Sequence, residues 1–326
     1  MRRIKELNAF LVTNEELKET IEHIGWKTFI AEIKKGFEQS ALGEGDVPEK
    51  VYVNTEVSDI RCMPAYLPSY NAYYCGVKII CVAPENKNYG LPTVLGEYLL
   101  RDARTQQLMA IMQAEEMTAF RTGAATGVAT EALARNTCKT LGIIGTGKQA
   151  PYQAEAILAV RPSIATIKVF NRTEERARKF KAVYEPEFGV DIAVVALEEA
   201  VNCDIVTTLT SATEPFISPE MIREGVHLNG VGADAKAKIE FDPGVLRKSK
   251  IFVDDVAQCI HSGEIYQGLE KGMIKEEELI HLGDVVRGKT TGRTDDNDIT
   301  FFKSTGVAFQ DLITAVLVFG RLSHAN

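Results

Sequence analysis

The chain has 326 residues, more than one hydrophobic core usually organises, so two domains are expected. With 45% hydrophobic and 25% charged residues it reads as globular, its net charge of -8 argues against a nucleic-acid partner, and no apolar run suits a membrane. Six scattered cysteines without a CxxC pair, and a start lacking a signal-peptide core, point to the reducing cytoplasm.

Thr13-Asn14-Glu15-Glu16 has the form of a capping box, and apolar residues then recur at helical spacing to Phe37, which predicts an N-terminal helical hairpin. Between Val51 and Val82 short β-prone runs separated by Pro64, Pro68 and Asn71 predict a small sheet region. Residues 104–135 are rich in Ala, Met, Gln and Glu and predict a helix, so Leu108, Met109 and Met112 are expected to be helical core residues.

From Lys139 to Asp255 six short apolar runs alternate with amphipathic stretches, the signature of a doubly wound parallel sheet. The runs are residues 140–144, 167–170, 192–195, 205–208, 226–229 and 251–253. The tail, 306–322, is an apolar helix expected to return to the first domain. The expected fold class is α/β, a Rossmann-type doubly wound domain (126–305) with a second α+β domain (1–125, completed by 306–326).

The segment Gly145-Thr146-Gly147-Lys148-Gln149-Ala150 follows a buried strand and opens a helix, as a dinucleotide-binding turn requires. Gly145 permits the tight turn, Gly147 the approach of the pyrophosphate, and Ala150 close helix packing, while helix amides at Thr146 to Gln149 face the phosphates. Where an NAD-preferring fold carries an acid on the ribose diol, this chain has Asn171-Arg172-Thr173. A neutral Asn171 with Arg172 and Thr173 suits a 2′-phosphate, so NADP(H) is favoured, and NAD(H) remains the alternative.

These residues, with Met63-Pro64-Ala65, Gly76-Val77-Lys78, the stretch 118–125, Gly232-Ala233-Asp234 and Phe302-Lys303-Ser304-Thr305-Gly306, resemble the ornithine cyclodeaminase/mu-crystallin family over nearly the whole chain. The stretches 253–255, 261–265 and 304–311 are closer to its archaeal-type alanine dehydrogenase branch. Thr105-Gln106 and Ala235-Lys236-Ala237-Lys238 depart from common family usage, the second beside the expected reacting centre.

The resemblance implies redox chemistry at the Cα–N bond of an amino or imino acid, and a homodimer formed through the first domain. It assigns Arg61, Lys78 and Arg121 to the substrate carboxylate, and Thr122, Lys303 and Ser304 to the neighbourhood of the cofactor. Lys78 interrupts an apolar run, and neighbouring cations would lower its pKa. Arg121 is expected to open an Ala/Gly/Thr-rich helix, where a cation signals an anion site. Asp234, just past the fifth strand, is the candidate proton-handling group. The five histidines show no ligand spacing, so no metal is expected. A cyclodeaminase with recycled NAD and a mu-crystallin-like dinucleotide-binding protein are the rival readings.

Overall fold

The computed structural model describes residues 1–324, which divide into two units, one formed by Met1–Arg121 with the chain from Val307 onward and the other by Thr122–Gly306. In the first unit, strands β1 (Arg2–Ile4), β2 (Ala9–Val12), β3 (Val51–Asn54), β4 (Asp59–Tyr66), β5 (Tyr74–Val82), β6 (Val94–Asp102) and β7 (Leu108–Gln113) form one sheet. Its order is β1-β2-β7-β6-β5-β4-β3, antiparallel except where β2 runs parallel to β7.

Helices α1 (Asn14–Ile24) and α2 (Trp26–Ser40) form the expected hairpin around Gly25, whose φ of +79° suits glycine. The capping box is made: Glu16 N–H donates to Thr13 Oγ1 at 3.3 Å, and Thr13 N–H donates to Glu16 Oε2 at 3.0 Å. The next helix, α3 (Ala114–Leu133), corrects the reading of residues 104–135 as wholly helical. Leu108, Met109 and Met112 lie on β7, where alternation buries Ala110 and Met112. Unbranched residues took an extended form because β2 and β6 flank this segment, tertiary pairing overriding local propensity.

The second unit contains β8 (Thr140–Ile144), α4 (Gln149–Val160), β9 (Thr166–Phe170), α5 (Glu174–Phe188), β10 (Asp191–Val194), α6 (Leu197–Val201), β11 (Ile205–Thr208) and β12 (His227–Gly230). It continues with β13 (Ser249–Val253), α7 (Val256–Cys259), α8 (Gly263–Glu270), β14 (Leu279–His281), α9 (Leu282–Val286) and β15 (Ile299–Lys303). All pairs are parallel, in the order β10-β9-β8-β11-β12-β15-β13-β14, and every expected strand is present. Two more strands, β14 and β15, were not expected; β15, the last in sequence, inserts between β12 and β13.

The order reverses between β8 and β11, whose carboxyl ends flank the place where doubly wound sheets bind ligands. Gly142 on β8 admits no side chain, since a Cβ there would stand 2.0 Å from the Ala200 carbonyl oxygen. The last helix, α10 (Ala308–His324), belongs to the first unit, where it packs against α2 and across β4, β5 and β6.

Candidate active site

In the second unit the chain leaves β8 through Gly145, at φ +97° and with Leu209, just past β11, only 3.1 Å from where a Cβ would stand. Its N–H donates to the Phe170 carbonyl at 2.9 Å, which pins the turn to the end of β9. Thr146 N–H donates to Asn171 Oδ1 at 3.2 Å, and Asn171 Nδ2 donates to the Thr173 carbonyl at 2.9 Å. Asn171 therefore shapes the turn, while Arg172 and Thr173 beside it are exposed.

Open space lies where a Cβ on Gly147 would stand, and Ala150 is fully buried at the start of α4, which no side chain caps. Thr146 Oγ1 and Gln149 Oε1 are buried without a hydrogen-bond partner. Buried polar atoms are nearly always paired, so this turn has unspent capacity for an external group. Turn, open glycine and uncapped helix fit the pyrophosphate of a dinucleotide.

Further along the same sheet edge, Gly232 follows β12 so closely against Thr210 that a Cβ would meet its carbonyl oxygen at 2.3 Å. Gly232 N–H donates to Glu240 Oε2 at 3.0 Å, which also accepts from the Thr208 hydroxyl at 2.7 Å. Glu240 Oε1 accepts from Thr210 N–H at 2.6 Å and from its hydroxyl at 2.7 Å. Asp234, two residues past Gly232, is partly exposed and pairs with Lys238 at 2.6 Å. The departure at 235–238 thus supplies a cation to the candidate proton-handling group.

Lys303, at the end of β15, is completely buried and donates to Glu264 Oε2 at 2.6 Å. Burial opposes its charge, but Glu264 outweighs that and raises its pKa. Burial and then the Glu264 charge push Glu240 up to about 7. Ser304 donates to Asp254 Oδ2 at 3.3 Å, and Asp254 also takes the N–H groups of Thr305 and Gly306, each at 2.7 Å. Thr122, on α3, is buried, and its carbonyl accepts the Thr126 hydroxyl at 3.2 Å. Glu240, Glu264 and Asp254 were not singled out in the sequence.

In the first unit a row of buried side chains crosses the sheet: Met63 on β4, Lys78 on β5, Tyr98 on β6 and Met112 on β7 stand opposite one another in register. Helix α10 covers β4, β5 and β6 and brings Asp311 to the row. Asp311 Oδ1 accepts from Lys78 Nζ at 2.8 Å and from Arg121 Nε at 3.2 Å, and Arg121 Nη1 donates to Gln310 Oε1 at 3.0 Å. Lys78 and Asp311 are 0% exposed and Arg121 is 6%. Burial, then the Arg121 charge, push Lys78 down to about 7, with Asp311 pulling the other way.

Arg121 does not open its helix, because α3 begins at Ala114. Its unusual siting comes from Asp311 and Gln310 rather than from a helix dipole. Arg61, on β4, has its guanidinium forked onto Asp59 at 2.7 and 3.2 Å and stands over the Tyr52 ring. Asp311 lies within the stretch 304–311, and one signal in the sequence marks it: it is the single charged residue between Ala308 and Gly320.

The model of the ornithine cyclodeaminase/mu-crystallin family matches residues 13–326. Alanine dehydrogenase of Archaeoglobus fulgidus is 37% identical over 98% of this chain and 97% of its own. Among solved structures, an archaeal alanine dehydrogenase dimer with bound NAD superimposes with a TM-score of 0.91 at 37% identity, covering 98% of this chain and 97% of that one. Thermococcus litoralis Δ1-pyrroline-2-carboxylate reductase, in complex with NADH and L-proline, does so at 0.91 and 35% identity, covering 97% and 98%. The chain belongs to the ornithine cyclodeaminase/mu-crystallin family.

Proposed function

We propose that this oxidoreductase, which interconverts an L-amino acid with its imino or 2-oxo acid using a nicotinamide dinucleotide, acts on alanine or a small cyclic imino acid. The observation that carries the reading is the buried group of two cations on one carboxylate, Lys78 and Arg121 on Asp311. Two positive charges against one negative leave an excess that a substrate carboxylate completes, and burial strengthens that attraction. The 35–37% identical relatives bound to NAD or to NADH and L-proline support both the cofactor class and the substrate class.

In this reading Lys78 and Arg121 fix the carboxylate, with Arg61 at its edge. Residues 145–150 hold the pyrophosphate, and Thr122, Lys303 and Ser304 support the nicotinamide side, Lys303 through its bond to Glu264. The bound nicotinamide supplies hydride to Cα in reduction and takes it in oxidation. Asp234 holds the proton that the substrate nitrogen gains or loses, with Lys238 paired to it at 2.6 Å. Lys78, at about 7, is a second group able to carry a proton near neutrality. Arg172 and Thr173 accommodate a 2′-phosphate, so NADP(H) is accepted as well as NAD(H).

The exposed apolar residues Val51, Tyr52 and Val53 on edge strand β3, with Val57, suit a second copy of the chain, as in the dimeric archaeal relative. Sedimentation at the 35.9 kDa monomer mass at all concentrations would contradict this. The six free thiols suit a cytoplasmic setting, and among the described residues no helix is long and apolar enough to cross a membrane.

The test mixes the protein with reduced cofactor, ammonium and a panel of 2-oxo acids, and separately with cyclic imines, and follows the cofactor's absorbance. Oxidation of cofactor with a small 2-oxo or cyclic imino acid is expected. Ammonia release from ornithine without net cofactor change would replace the reading by cyclodeamination, and tight cofactor binding without turnover by a binding function. Asp234→Asn is expected to keep cofactor affinity and lower turnover by about 10²-fold or more.

A further inference from the structure

The group on β5, α3 and α10 poses an electrostatic problem that one residue resolves. Two cations, Lys78 and Arg121, lie almost wholly out of solvent, and the guanidinium lowers the tolerance of the lysine for charge. A guanidinium does not deprotonate in a protein, so any unrelieved repulsion falls on the lysine. The charged and titratable groups acting on Lys78 are Arg121 from α3, Asp311 from α10, Tyr98 across the strand on β6, and Lys50 ahead of β3. Thr118 adds a hydroxyl at 3.4 Å. Tyr98 is held neutral by burial and by the Asp311 charge, which leaves Asp311 as the anion bonded to both cations among the described residues.

We propose that Asp311 is the positioning residue of the carboxylate site: by accepting from Lys78 Nζ and Arg121 Nε on one oxygen, it aims both cations and offsets the repulsion between them. The inference rests on the reading of Lys78 and Arg121 as the carboxylate-binding pair. Residues 233 and 190 positions apart in sequence meet on a single atom, Asp311 Oδ1. The second oxygen, Oδ2, is buried and unpartnered, so the carboxylate is not spent on backbone or solvent. A carboxylate held this way acts on charge as well as on shape, and the two actions separate by experiment. Asparagine keeps the shape and removes the charge.

The experiment measures the dissociation constant of propionate, an unreactive carboxylate, by calorimetry on the full chain with cofactor across roughly pH 5 to 9, a span on both sides of the expected midpoint. In the unaltered protein binding should weaken as pH rises through about 7, where Lys78 loses its proton. In Asp311→Asn that midpoint should move down by about 1 to 3 pH units, and acidification should restore the affinity lost at pH 7. An unmoved midpoint with affinity reduced equally at every pH would make Asp311 a structural residue and overturn the proposal. If Asp311→Asn does not fold, Asp311→Glu, which keeps the anion, must keep the midpoint, and a downward shift there would also overturn it. Lys78→Met separates the two levels of the argument. Propionate affinity unchanged in Lys78→Met would remove the carboxylate site itself; weakened affinity there with an unmoved midpoint in Asp311→Asn would remove only the role of Asp311.

Discussion

Each unit buries a lysine completely, and the two lysines respond in opposite ways. Lys78 is pushed down to about 7, whereas the pKa of Lys303 is raised. Burial is the largest influence on both and acts against the charge in both. The difference lies in the company: Lys303 has Glu264 at 2.6 Å with Glu240 beyond it, while Lys78 shares one carboxylate oxygen with an arginine. An excess of anions locks a buried cation in its charged state, and an excess of cations leaves it poised to lose its proton. The first arrangement fastens loops at a sheet edge, and the second suits a site that must receive an anion.

The sharpest way to break this contrast is to remove the anion from the locked pair. Glu264→Leu leaves Lys303 buried without its partner and strips an acceptor from the N–H groups of Glu240 and Phe241. A loss of about 3–5 kcal/mol is expected in denaturant unfolding. A loss under about 1 kcal/mol would mean that Lys303 is not locked.

Lys78→Met probes the other side. Catalytic efficiency should fall by about 10²-fold or more while the chain stays folded, because Asp311 keeps Arg121 as its partner. Steady-state kinetics with a melting curve on the same preparation decides it, and an unfolded variant with no separate kinetic effect would assign Lys78 to structure.

The same lysine makes a prediction about pH and stability. Between about 7 and 10.5 the unfolded chain holds this proton and the folded chain does not, so stability should rise with pH across that window. The slope from this one group is at most about 1.4 kcal/mol per pH unit. Below the window both states are protonated and the cost of the buried charge is complete. Urea midpoints of the unaltered protein minus those of Lys78→Met should show this slope, and parallel profiles would contradict the lowered pKa.

The smallest expected effect concerns Arg172, an exposed cation in contrast to both buried ones. If it meets a 2′-phosphate, Arg172→Ala should weaken NADPH by roughly tenfold and leave NADH unchanged. Equal losses for the two cofactors would withdraw the NADP(H) assignment.

What the sequence made legible follows from how local each signal is. The capping box at Thr13, the turn at Gly145 and the six alternating runs of the parallel sheet depend on neighbours a few residues away, and all appear in the structure. Lys78 and Arg121 stood out as charges in apolar or small-residue surroundings, but the carboxylate that joins them is on the last helix. No spacing rule reaches that far. Strand β15 reads Ile299-Thr300-Phe301-Phe302, a visible apolar run, yet its place between β12 and β13 is a property of the folded sheet. Residues 108–112 misled for the converse reason: their helical propensity was overridden by pairing with strands elsewhere in the chain.

The discontinuity of the first unit bears on how the protein is made. Residues 122–306 are contiguous and can assemble their sheet while synthesis continues, whereas the first unit waits for α10, the last helix of the chain. Until Asp311 leaves the ribosome, Lys78 and Arg121 have no shared anion, and the face of β4, β5 and β6 that α10 covers stays bare. Nascent and prematurely terminated chains therefore cannot join Lys78 and Arg121 on one carboxylate. Their uncovered sheet face is a mark by which chaperones and proteases can tell unfinished chains from finished ones.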